Sequence, residues 1–132
     1  MIRNGARRLH VLLAWSFVGA VLVQVFLAGL AIFGATAGFG LHIEFGYTVL
    51  GLITLGVLLT ALAGGLPRRE IGLSFLLFVL YVIQTGLPAA RASAPVLAAL
   101  HPVNAIVLFA LGTIIARRGA AGIGREGSAR WT

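Results

Sequence analysis

LHIEFGYTVLGLITLGVLLTALA, residues 41–63, is an apolar run closed by Gly64-Gly65-Leu66-Pro67-Arg68-Arg69, and a second run follows from Ile71 to Leu87. An apolar stretch of roughly 20 residues is long enough to cross a hydrocarbon core as a helix. The Gly and Pro residues between the two runs are breakers, and a connection this short forces the flanking helices antiparallel. The pair therefore reads as two membrane helices joined by an arginine-bearing turn. Working outward, a third run covers Leu9 to Phe33, behind Arg3, Arg7 and Arg8. A fourth covers Pro95 to Ala116 and is closed by Arg117 and Arg118.

The expectation is an all-α, integral membrane four-helix bundle with helices at about 9–33, 41–63, 71–87 and 95–116. Residues 1–118 form the transmembrane domain, and 119–132 a flexible cytoplasmic tail. Ser93 is the expected N-cap of the fourth helix, with Pro95 in its first turn. The composition agrees: 60% hydrophobic residues, 10% charged residues and a mean hydropathy of +1.06, against about a quarter charged in soluble domains.

All ten basic residues are arginine. Nine fall in the N-terminus, the turn after residue 63 and the C-terminal segment; Arg91 alone lies on the other side. The positive-inside rule then puts both termini in the cytoplasm of a multi-pass protein of the inner (plasma) membrane. The charge of +7 comes from arginines bracketing apolar spans, with no basic stripe interleaved with aromatics, so nucleic acid is not the partner. The apolar run before Ala35-Thr36-Ala37 is about twice the length of a signal-peptide core, so the first helix is expected to be retained. Cysteine is absent, which excludes disulfides, thiolate metal sites and covalent haem attachment. No phosphate loop, carboxylate pair, HExxH or nucleophile elbow is present.

The polar residues inside the spans repeat. Leu41-His42 and Leu100-His101 occupy matching places in the two hairpins, and Gln24 and Gln84 precede the histidines by eighteen and seventeen residues. Two parallel-repeat hairpins imply a pseudo-twofold axis along the membrane normal, with His42 and His101 facing one another near the outer mouth. Ionisable groups in a membrane span are functional candidates, and neutral imidazole is a good metal ligand. One histidine from each wall of a bundle can ligate a flat macrocycle axially. Gly46 and Ala105 stand one turn below the two histidines and would leave a slot for the ring. Small residues equally let bare helices pack closely.

Arg91 is positioned to meet haem propionates or lipid headgroups. Gln24 and Gln84 are expected either to orient the imidazoles or to join helices. Pro102 bends the fourth helix at the ligand, and Asn104 is placed to satisfy the carbonyl freed there. Glu44 is a rim carboxylate that could pair with Arg91. His10 reads as an interfacial structural histidine, and Trp15 and Tyr81 as ordinary membrane aromatics.

The run Gln24-Val-Phe-Leu-Ala-Gly-Leu, with Leu41-His42 and Leu100-His101-Pro-Val-Asn-Ala, resembles an uncharacterised family of small bacterial four-helix membrane proteins. The first hairpin also resembles half of a haem A synthase, in which a glutamine and a glycine on one helix precede a haem-ligating histidine on the next. That resemblance implies that His42 and His101 are haem ligands; its catalytic chemistry does not carry over. The functional expectation is a b-type haem protein with one bis-histidine haem near the extracytoplasmic side. It would act in electron transfer with a quinol, or as a subunit of a larger membrane complex, and oligomers are compatible with the sequence. The alternative is a structural or accessory membrane subunit without a cofactor. A copper or zinc site on His42, His101 and Glu44 is a third reading.

Overall fold

The computed structural model describes residues 2–128, and side chains through residue 123. Among the described residues, four helical spans are long and apolar enough to cross a membrane: Ile2–Ile32, Gly40–Ala63, Arg68–Ala92 and Pro95–Ile123. The first is a single helix, α1 (Ile2–Ile32). The second is α2 (Gly40–Phe45), a π-helical segment Gly46–Leu50, and α3 (Gly51–Ala63). The third is α4 (Arg68–Gly86), with a 3₁₀ turn Leu87–Ala92 at its end. The fourth is α5 (Pro95–Ala98) followed by α6 (Leu100–Ser128).

Two of the reversals are built alike. After α1, Gly34 takes φ 74°, Gly34 N–H donates to Ala31 O, and Ala35 N–H donates to Leu30 O. After α3, Gly65 takes φ 56°, and Gly65 and Leu66 N–H donate to Leu62 O and Ala61 O. This is the left-handed glycine cap that satisfies terminal helix carbonyls. An L side chain at either glycine would be strained.

Three local differences from the sequence expectation have physical causes. The fourth span breaks at Ala99 because Pro102 has no N–H to give the Ala98 carbonyl. Ala94, not Ser93, is the N-cap of α5, and no side chain caps it. Finally, α6 continues past Arg118 to Ser128, so the expected flexible tail is helical over 119–128; residues 129–132 lie outside the described residues.

The spans form a ring. α1 packs against α3 and α6, and α4 packs against the same two helices. This leaves the second and fourth spans diagonally opposite. The axis is filled by Phe17, Val57, Leu77 and Ile115, one from each span, all essentially inaccessible. Ala14, Ala61 and Ala116 are buried beside them and let the backbones approach. The buried hydroxyls of Thr54 and Ser74 donate to the carbonyls one turn back, Leu50 O and Glu70 O, at 2.6 and 2.9 Å. The exterior is apolar: Leu52 is 73% exposed, Ile106 70% and Phe26 63%. Such a surface suits hydrocarbon and not water. At the arginine-rich end, Arg118 grips Glu70 through Nε and Nη2, the shortest contact being 2.6 Å, tying the start of α4 to α6.

Gly112 carries one of these close approaches. A Cβ built there would lie 2.7 Å from Cδ1 of the buried Phe17 ring. Alanine ordinarily gains up to about 1 kcal/mol over glycine in a helix, but forcing a methyl against a fixed ring costs about 1–3 kcal/mol. Gly112→Ala is therefore expected to lower the thermal midpoint of the detergent-purified protein. Gly72→Ala, where a Cβ meets nothing within 4 Å, should leave it unchanged or raise it.

Candidate functional site

His42 is the third residue of α2 and His101 the second of α6. Both therefore enter at the same end of diagonally opposite spans. Their ring centroids are 6.1 Å apart, with planes at 65°. The loop Gly34–Gly40 does not extend the second span outward, and the break at Ala99 leaves His101 near the start of its helix. The Phe39 ring packs edge-on against His42 at 6.0 Å.

Each imidazole is held by the main chain of the glutamine that precedes it. His42 Nδ1 lies 3.0 Å from Gln24 O, and His101 Nδ1 lies 3.0 Å from Gln84 O. A carbonyl oxygen only accepts, so Nδ1 carries a proton in both rings, and Nε2 of the neutral tautomer is the acceptor. For Gln84 the geometry has a clear origin. Its carbonyl would bond the N–H four residues on, but that residue is Pro88, which has none; the carbonyl is therefore left for His101. At the matching place after Gln24 stands Ala28, and the carbonyl's second lone pair takes the imidazole.

The glutamine side chains behave differently in the two halves. Gln24 Nε2 donates to His42 O at 2.8 Å, closing a two-way clamp, while its buried Oε1 has no partner. Gln84 Oε1 accepts from Asn104 Nδ2 at 2.8 Å, and Asn104 Nδ2 also donates to Leu80 O. That orientation turns the Gln84 amide N–H toward His101 Nε2 at 3.4 Å, in keeping with Nε2 as an acceptor. Both roles weighed for the glutamines are thus filled, with the orienting bond made by backbone oxygen. Asn104 does not serve the carbonyl freed by Pro102; it joins α6 to α4.

Gly46 has a different use from the slot expected of it. A Cβ there would lie 2.7 Å from Gln24 Nε2, so the missing side chain makes room for the glutamine amide and not for an open ring pocket on that side. Ala105 is half-buried one turn below His101. Arg91 is exposed in the 3₁₀ turn and has no hydrogen bond or ion pair among the described residues. Glu44 is also exposed and does not pair with Arg91. No cluster of three or more His, Cys, Asp or Glu side chains is present among the described residues. His10 is more than interfacial: it is 2% exposed, and its Nδ1 donates to Val57 O at 3.0 Å, at the other end of the bundle.

Tyr81 was not expected to matter. Its hydroxyl donates to Gly46 O at 3.0 Å, inside the π segment directly after the His42 turn, with a longer approach to Tyr47 O at 3.4 Å. Gly51 permits this: a Cβ there would sit 2.7 Å from the Tyr81 hydroxyl. π segments recur at functional sites, and this one is latched to α4 below the histidine. The spacing of Gly46 and Gly51 around Tyr47 is the one sequence signal that could have pointed to it.

Residues 24–91 match a family of unknown function, DUF6220. The chain belongs to this family. The matched DUF6220 segment contains Gln24, His42, Gln84 and Arg91; His101 lies beyond it. No curated protein and no solved structure matches the chain, and the expected likeness to half of a haem A synthase is not shown.

Removing the Tyr81 hydroxyl should cost about 1 kcal/mol, the typical net value of one hydrogen bond. Gly51→Ala should break the same contact by displacing the ring. Thermal denaturation of Tyr81→Phe, Gly51→Ala and the double variant is expected to show a double-variant loss smaller than the sum of the two single losses.

Proposed function

We propose that this protein is a membrane-embedded b-type haem protein that holds one haem iron between His42 and His101. The observation that carries the reading is the pair of imidazoles from opposite spans with ring centroids 6.1 Å apart, both with Nδ1 donating to a glutamine carbonyl. Two imidazoles ligating one metal at roughly 2 Å each have ring centres about 6 Å apart, close to the 6.1 Å separation here. Copper and zinc sites draw three or four ligands from the protein. A pair with no third His, Cys, Asp or Glu grouped with it among the described residues suits iron whose remaining ligands come from a macrocycle.

When bound between His42 and His101, such a group would supply one-electron redox chemistry. The chain's part is to fix the imidazoles. The Nδ1 bonds set tautomer and ring orientation and raise ligand basicity. Arg91, in the 3₁₀ turn between the third and fourth spans, would be the cation for haem propionates. The arginine distribution puts both termini in the cytoplasm of a plasma-membrane protein, and the haem near the outer face. One such group does not span a hydrocarbon core of about 30 Å. The protein then exchanges electrons locally, with a quinol or as a subunit of a respiratory complex. The second reading, an accessory subunit without a cofactor, draws support from the hydrogen bonds that already tie each histidine to its own hairpin.

Protein purified in detergent from haem-replete cells is expected to show a Soret band, with low-spin bands on reduction. His42→Ala and His101→Ala should each abolish them while the protein stays helical and monodisperse. Glu44→Ala should retain them. Colourless wild-type protein would overturn the haem reading in favour of the accessory subunit.

A further inference from the structure

At the arginine-rich end, the other end of the bundle from the histidine pair, α1, α4, α6 and the turn before α4 line an open cavity of about 430 Å³. Its polar lining is Arg7, Arg117, Arg118, Glu70 and His10, set beside the apolar Leu66 and Ile123. Glu70 is occupied by Arg118. Arg117 is exposed and has no ion pair among the described residues.

His10 is the second, independent feature. It is buried to 2% exposure, and its Nδ1 is committed to Val57 O. The other edge of the ring points toward α6: Cδ2 lies 3.7 Å from where a Cβ on Gly119 would be, and Gly119 lines the cavity. His10 Nε2, next to Cδ2, is therefore an acceptor without a hydrogen-bond partner among the described residues. A bare anion does not satisfy a neutral acceptor; a hydroxyl does.

We propose that this cavity binds the headgroup of an anionic glycerophospholipid, with the phosphodiester on Arg117 and a headgroup hydroxyl donating to His10 Nε2. Three features select this ligand. The arginines supply charge-assisted donors for phosphate. The unpartnered lone pair of His10 Nε2 asks for an O–H. The apolar wall beside them, at the end of spans suited to a bilayer, is where a lipid glycerol and its chains would lie. The volume is larger than a phosphate ion needs and lies within the range of small-molecule sites. The inference does not depend on the haem reading.

The test is calorimetric titration of the detergent-purified full chain with three probes: dihexanoyl phosphatidylglycerol, dihexanoyl phosphatidylcholine and inorganic phosphate. Saturable binding of the phosphatidylglycerol is expected. Phosphatidylcholine, which keeps the phosphodiester but lacks the hydroxyl and brings a cation near Arg117, and phosphate, which lacks the glycerol and chains that meet the apolar wall, should each bind about tenfold or more weakly. Arg117→Gln should weaken phosphatidylglycerol binding by a similar factor. So should Gly122→Leu, which fills the cavity from a position where a Cβ meets nothing within 4 Å. Equal binding of the two lipids, phosphate binding as tight as phosphatidylglycerol, or unchanged affinity in both folded variants would overturn the proposal.

Discussion

A neutral imidazole has one donor and one acceptor, and inside an apolar bundle the donor must be satisfied by protein. Here it is satisfied twice in the same way, by the backbone oxygen of a glutamine on the adjacent span, at 3.0 Å in each hairpin. The rest of the histidine end follows from that choice. With the proton held on Nδ1, each ring is locked to its own hairpin and keeps Nε2 as a lone-pair donor. Because the hairpins run parallel and pack as a ring, the two locked rings meet across the diagonal. Nothing else in the bundle requires the pair to meet, and each bond alone is worth only about 1 kcal/mol. Their contribution is orientation, which is what a ligand pair needs.

The surrounding fold is what lets two polar clusters persist among apolar helices. In lipid the apolar exterior gains nothing by association, so close packing and satisfied polar groups hold the spans together. Alanines and glycines bring the backbones near, and the hydroxyls of Thr54 and Ser74 return to their own helices. Glutamine, asparagine and tyrosine make the bonds between spans: Gln24 to His42, Asn104 to Gln84, Tyr81 to Gly46. The unpaired Gln24 Oε1 marks where the repeat is broken. The first hairpin has Phe45 at the position that Asn104 occupies in the second.

Much of this was legible in the sequence, for identifiable reasons. Spans of bilayer length and their arginine brackets are long-range signals that tolerate errors of a few residues. Histidines and glutamines are conspicuous among leucines, so their repeat could be read, and the histidine pair could be anticipated. What could not be read depended on register at the scale of one atom. Whether Gln84 acts through its amide or its carbonyl turns on Pro88 standing four residues later. Whether Gly46 leaves a slot or a seat turns on where the Gln24 side chain ends. Tyr81 looked like any membrane aromatic because its partner is a carbonyl inside a π segment, which no side-chain pattern announces. The burial of His10 depends on packing across to Val57, a residue with nothing polar to notice.

The account's central claim is that two Nε2 nitrogens, one from each hairpin, ligate a single iron. Electron spin echo or double-resonance spectroscopy of the oxidised protein, carrying ¹⁵N-labelled histidine, tests this directly. The account predicts a low-spin ferric signal with hyperfine couplings from two histidine nitrogens on one centre. A ferric centre coupled to one histidine or none, or protein that binds no iron when supplied with haem, would contradict it.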